Sequence, residues 1–241
     1  MSPAHHPPRL IVDLGLVLYV GPWDEAAEHT PMVPILGAGL DGDIHLVIDG
    51  EPFTGRTVHV PAFAPRTVNA FGNRLAVMPY DPVHGAIGDL DEARTLAALD
   101  QLSTHGFDDV AWGTLAECVG LQPPQKISQA VRDAASFLDS HVDENVPGSE
   151  VADAVGYSLS RLQELFRNEL GVSMRSYRSW NRLRRTAELM ATAPTITDAA
   201  VAAGFYDAAH FTNTFAATFG VTPSAVFAEN LETHVVGDRL A

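Results

Sequence analysis

A chain of 241 residues with 46% hydrophobic and 19% charged positions has room for one large or two ordinary domains, and its composition excludes disordered and fibrous classes. A single cysteine, Cys118, excludes an internal disulfide; MSPAHHPPRL lacks a signal-peptide core, and the run at 10–20 is short and interrupted by Asp13, so a cytoplasmic protein without a membrane span is expected. The formal net charge of −15 opposes general affinity for phosphate backbones, so any DNA contact has to come from a local basic surface.

From Leu10 to Tyr80 the texture is all-β. LIVDLGLVLYV, VPILGAGL, DIHLVID, TVHVPAF, RTVNAF and RLAVMPY are short runs rich in Val, Ile and Leu, separated by GPWDE, DGD, DGEP, AP and GN. Such spacing predicts a barrel or sandwich, and we take 1–85 as this domain. Helical spacing begins after Asp81: Ala93, Leu96, Leu99 and Leu102 recur over 89–104, and Val110, Ala111, Leu115 and Cys118 over 108–119. Residues 86–122 form a helical connector, and the first of its helices offers its apolar face either to a second chain or to its own barrel. Pro123 and Pro124 mark a linker, followed by a helix at 127–140 built on Ile127, Val131, Ala134 and Leu138.

The C-terminal part, 123–232, is dominated by a short unit written twice, AVGYSLSRLQELFRNELGVS and AAGFYDAAHFTNTFAATFGVT. At an offset of forty-nine, Leu162 meets Phe211, Phe166 meets Phe215, Gly171 meets Gly220 and Val172 meets Val221, while Gly156 and Gly204 match one step short. Each copy reads as helix, glycine turn, helix. In the first, Ser158 caps a helix with Leu162, Leu165, Phe166 and Leu170 inside and Arg161, Gln163, Glu164, Arg167 and Asn168 outside. In the second, Phe211, Phe215 and Phe219 form the inner stripe. This is the pattern of a helix-turn-helix, whose second helix fits the DNA major groove. Between the copies, Met174 to Ala191 reads as one helix, about 27 Å long, ended by Pro194; it is a strut able to hold two reading helices in successive grooves. Residues 158–191 hold seven arginines against three glutamates, a basic island in an acidic chain, whereas no Lys or Arg lies between Thr192 and Pro223. Residues 233–241 read as a tail.

The double motif, the linking helix and the closing GVTPSAVF resemble the AraC/XylS transcriptional regulators over roughly 125–230. The resemblance implies base contacts from Ser160, Gln163 and Glu164 in the first copy and Ala209, Thr212 and Asn213 in the second. Arg161, Arg167, Arg175, Arg182 and His210 are the expected phosphate contacts. It also implies double-stranded DNA as partner, a small-molecule effector, a homodimer and contact with RNA polymerase. Asn213 and Gln163 suit adenine and Glu164 suits cytosine, while the uncharged second copy predicts a weaker second contact.

The β-part resembles a cupin in the version that precedes this DNA-binding domain. His29 stands at the first ligand position of the cupin metal site, but Pro31 replaces the second histidine, no Glu follows on the next strand, and in GRTVHVPAFAPRTVNA Arg66 falls where the later histidine belongs. Arginine does not ligate a divalent ion and one imidazole cannot fill such a site, so no metal, no cofactor and no catalytic residue are expected. His45 and His59 lie in strands facing either way, and Tyr19, Trp23 and Phe53 are core or pocket residues. The whole is expected to be an α+β multidomain protein: a cupin-like β-barrel or sandwich, then helices, then an all-α domain with two helix-turn-helix motifs on a long helix. A protein-interaction module with a DNA-incompetent helix-turn-helix and, behind it, a cupin-type enzyme are the competing readings.

Overall fold

The computed structural model describes residues 6–13, 15–23, 25–122, 126–227 and 230–236. Pro123 and Pro124 of the expected linker lie outside the described residues. Among the described residues ten strands precede the first helix: β1 (Arg9–Val12), β2 (Val17–Pro22), β3 (Glu25–His29), β4 (Ile35–Gly39), β5 (Ile44–Ile48), β6 (Glu51–Gly55), β7 (Thr57–Val60), β8 (Arg66–Asn69), β9 (Arg74–Pro79) and β10 (Ala86–Ile87). With β12 (Glu232–Val235), they make a six-stranded sheet in the order β12-β1-β2-β9-β4-β7 and a four-stranded sheet in the order β3-β8-β5-β6; β10 pairs separately with β11 (Leu121–Gln122). The pairings within the two main sheets are antiparallel, apart from β1 with β12. Alternation along β2 explains the layering. Val17 and Tyr19 face the space between the sheets, while Leu18 and Val20 face outward into a second apolar cluster.

That second cluster is closed by α1 (Glu92–His105) and α2 (Asp109–Cys118), each started by an aspartate N-cap, Asp91 and Asp108. Ala98, Leu99, Leu102, Ala111, Trp112 and Leu115 cover the outer face of the six-stranded sheet, so the apolar stripe of α1 packs on its own barrel and is not a free face for a second chain. Val110, expected on the inner stripe of α2, is 75% exposed; Trp112 takes that place, its indole N–H donating to Asp13 at 3.0 Å.

The C-terminal helices are α3 (Gln129–Ser140), α4 (Gly148–Ala154), α5 (Leu159–Leu170), α6 (Met174–Leu189), α7 (Ile196–Ala202), α8 (Ala208–Phe219) and α9 (Pro223–Val226). The repeat survives in three dimensions: α5 and α8 are both 12 residues long, begin forty-nine positions apart, and end on left-handed glycines, Gly171 at φ 70° and Gly220 at φ 74°. Ser158 caps α5, as its position predicts. The strut α6 has 16 residues, hence about 24 Å.

The two copies pack differently. Leu162, Leu165, Phe166 and Leu170 of α5 close on α3, α4 and the start of α6 in one cluster. Phe211, Phe215 and Phe219 of α8, with Trp180 and Leu183 of α6, belong instead to the core between the β-sheets, alongside Tyr19, Trp23 and Val77. The boundaries read as 1–85, 86–122, 123–232 and 233–241 therefore do not separate independent cores. Residues 233–235, read as tail, are part of β12, which pairs in parallel with β1 and is pinned by Arg9, whose Nε meets Glu232 at 2.8 Å. Edge pairing of this kind depends on where the chain returns in space, which a four-residue segment does not signal.

Candidate nucleic-acid interface and the barrel behind it

The outer face of α5 is open. Ser160 and Glu164 are exposed and Gln163 is half-buried; on α8, Ala209 and Asn213 are exposed and Thr212 is half-buried. Arg161 and Glu164 are both exposed and ion-pair at 2.7 Å, a solvent-screened contact that a phosphate can replace. His210 is exposed, with Nδ1 accepting from the Tyr206 amide at 3.4 Å and its ring edge-on to Phe205.

The arginines of the basic island divide into two groups. Arg161, Arg167 and Arg175 are exposed on the motif surface. Arg182, expected as a phosphate contact, donates its guanidinium to the carbonyls of Val142 and Glu144, both at 3.1 Å, holding the α3–α4 loop against α6. Arg184 is buried between Asp139 and Glu188, and Arg185 pairs with Glu188 at 2.9 Å. Helical periodicity gave the composition of α6 but not which of its faces would be covered.

Two features of the interface escape a pattern reading. Asp207 is the N-cap of α8 and accepts from the His210 amide at 2.7 Å. Tyr157 and Tyr206 occupy equivalent turn positions, 41% and 87% exposed, each just before its reading helix; the forty-nine-residue offset was the available signal.

The inner side of the second copy leads into the barrel. Ala27 of β3 donates to the Gly220 carbonyl at 3.2 Å and Thr30 donates to that of Ala217 at 3.3 Å. The approach is close: a Cβ on Gly220 would lie 2.3 Å from His29 Nδ1 and 2.7 Å from the Ala27 oxygen, whereas a Cβ on Gly171 would meet nothing within 4 Å.

His29 and Arg66, singled out by the cupin comparison, are direct cross-strand partners on β3 and β8. Each is only 5% exposed. His29 Nδ1 donates to the Ala27 carbonyl at 2.7 Å, so Nε2 is free to accept from Arg66 Nε at 2.9 Å. Burial, aided by the adjacent guanidinium, pulls His29 down to about 4, and burial pulls Arg66 to about 10, so at neutral pH the pair is a neutral imidazole beside a cation. Among the described residues no cluster of three or more His, Cys, Asp or Glu could hold a metal. His45 and His59 point outward, hydrogen-bonded to Thr54 and Tyr80. Tyr19 and Trp23 line an apolar cavity of about 50 Å³ between the β-sheets and α6 and α8; Phe53 is partly buried at the edge of the core.

At the sequence level, residues 151–229 match a family described as a helix-turn-helix domain. Over 106 residues the chain is 34% identical to the arabinose operon regulatory proteins of Escherichia coli and Salmonella typhimurium, matching 43% of this chain and 36% and 37% of theirs. The match thus spans about a third of the length of these curated relatives. Among solved structures, a substituted apo form of ToxT from Vibrio cholerae superposes with a TM-score of 0.61 at 13% identity, covering 89% of this chain and 97% of that one. The wild-type ToxT with unsaturated fatty acid bound gives 0.58 at 14% identity, covering 88% and 94%. The likeness to ToxT shows the fold of both halves, and the match over 151–229 is to a helix-turn-helix domain.

Proposed function

We propose that this chain is a sequence-specific, DNA-binding transcriptional regulator whose N-terminal barrel senses a small-molecule effector. The observation that carries the reading is the placement of two equivalent helices, α5 and α8, at the ends of one strut with their outer faces open. Ser160, Gln163 and Glu164 read bases in one groove, and Ala209, Thr212 and Asn213 in the next. Arg161, Arg167 and Arg175 supply phosphate contacts to the first copy, while the second relies on amides at its helix start and on His210. Arg182, whose guanidinium donates to Val142 and Glu144, is left out of that set. ToxT, which shares the fold, has been solved with an unsaturated fatty acid, which supports an effector role for the N-terminal half here. No described helix is long and apolar enough to cross a membrane; a cytoplasmic homodimer that contacts RNA polymerase completes the proposal.

Selection from a random duplex pool with the full chain tests it. Enrichment of a bipartite site, with two half-motifs about one helical turn apart, is expected. A single short motif would confine reading to α5, and no enrichment at low salt by folded protein would leave the protein-interaction reading.

A further inference from the structure

We infer that Tyr206 is an uncharged phosphate anchor for the second reading helix, with Tyr157 as its counterpart in the first copy, a role that rests on the regulator reading above. Both tyrosines stand one position before a helix cap, Ser158 for α5 and Asp207 for α8. At that position an apolar side chain ordinarily folds back onto the fourth residue of the helix and fixes the entry of the chain. The residues it would meet are Leu162 and Phe211, both buried. Tyr157 is 41% exposed, but Tyr206 is 87% exposed and does not make that contact.

The one residue by which the second turn is longer explains the difference. In the first copy Tyr157 does two jobs: its amide donates to the Ala152 carbonyl at 2.9 Å, and it precedes the cap. In the second copy the jobs are divided. The Phe205 amide donates to the Ala200 carbonyl at 3.0 Å, and its buried ring packs edge-on against Phe211 with centroids 5.3 Å apart. Phe205 thus takes the inward place, and Tyr206 is left to face solvent. Its backbone is held, because the Tyr206 amide donates to His210 Nδ1 at 3.4 Å. Among the described residues neither its hydroxyl nor its ring has a partner.

A lone exposed aromatic is ordinary on a protein surface. This one stands at the start of α8, the end that carries Ala209, Thr212 and Asn213. The second copy also lacks the usual means of holding a phosphate. No Lys or Arg lies between Thr192 and Pro223, and the cap Asp207 sets a carboxylate at the helix start and occupies the His210 amide. Neutral donors therefore have to hold the backbone there. A phenol supplies one on a long rigid arm: its O–H donates to a phosphate oxygen and, being uncharged, displaces no counterion. The first copy depends on its tyrosine less, since Arg161 and Arg167 are exposed beside it.

The test measures binding by the full chain across a range of salt, on the site that wild type selects from a random pool and on a mixed-sequence duplex. Tyr206→Phe is expected to weaken binding to the selected site about tenfold, the low end for a hydrogen bond to a charged group, with the salt slope and the selected bases unchanged. Tyr206→Arg puts a cation at the same phosphate and is expected to recover affinity at low salt while steepening the slope by about 1. Tyr157→Phe is expected to lose less than Tyr206→Phe. Both Tyr206 variants are expected to melt with wild type, as befits an exposed side chain. Wild-type binding that Tyr206→Phe leaves intact overturns the anchor and spares the regulator reading. The same holds for a loss confined to one base position, for an unchanged slope in Tyr206→Arg, and for a lowered melting temperature in Tyr206→Phe, which would make the residue structural. A folded wild-type chain that binds neither duplex overturns both.

Discussion

The two helix-turn-helix copies are alike in local structure and opposite in their attachments. α5 buries its apolar stripe within its own subdomain and presents Arg161 and Arg167 outside; α8 buries Phe211, Phe215 and Phe219 in the core of the β-domain and presents no Lys or Arg. The two copies of one unit thus differ in kind: one carries exposed arginines on its outer helix, and the other shares its core with the barrel. The barrel and the second copy share one apolar core, whereas the first copy does not belong to it.

The largest break in this comparison comes from the cores. Phe166→Ala and Phe215→Ala should each cost about 3–5 kcal/mol in urea denaturation, but only Phe215→Ala should alter fluorescence from Trp23, which lies in the same cluster. Equal effects on Trp23 from both variants would mean that the second copy is no more tied to the barrel than the first.

Acid should separate the copies next. His29 has its folded-state value lowered to about 4 from 6.5, so the unfolded chain binds its proton first as pH falls. Stability from this group is complete above about 6.5 and is lost as pH drops toward 4. Melting temperature should therefore decline across that window, and His29→Gln should flatten the decline; an unchanged profile in the variant would clear His29.

At the DNA surface, Gln163→Ala should relax base preference by about 1–3 kcal/mol at one base pair, with a smaller loss from Asn213→Ala, as read in selected-site profiles. A larger loss from Asn213 would reverse the ranking of the two copies.

The capping glycines offer a finer contrast. Gly171→Ala should cost about 1–2 kcal/mol for the left-handed conformation alone, whereas Gly220→Ala adds the approach to His29 and Ala27 and should cost more. Similar melting temperatures for the two would deny the tight seam between α8 and β3.

The smallest effect is electrostatic. Arg167→Ala should lower affinity for all sequences and reduce the salt slope by about 1, while Arg182→Ala should leave the slope alone and lower stability. A reduced slope in Arg182→Ala would restore that residue to the phosphate surface.

Much of this molecule was legible along the chain because local rules dominate there. The offset of forty-nine, the cap Ser158, the matching glycines and the i, i+3, i+4 stripe of α5 point to two helix-turn-helix units through backbone sterics and helical periodicity alone. The short Val-, Ile- and Leu-rich runs between turn segments in 10–80 point to a β-domain for a similarly local reason. What covers each stripe is a different kind of fact. That α1 packs on its own sheet, that Arg182 and Arg184 turn inward, that β12 returns to β1, and that His29 meets Arg66 beneath Gly220 all depend on residues far apart in sequence. An amphipathic face records that it must be buried, not against what. Only the tertiary structure chose the partner, and with it joined the second helix-turn-helix copy to the barrel.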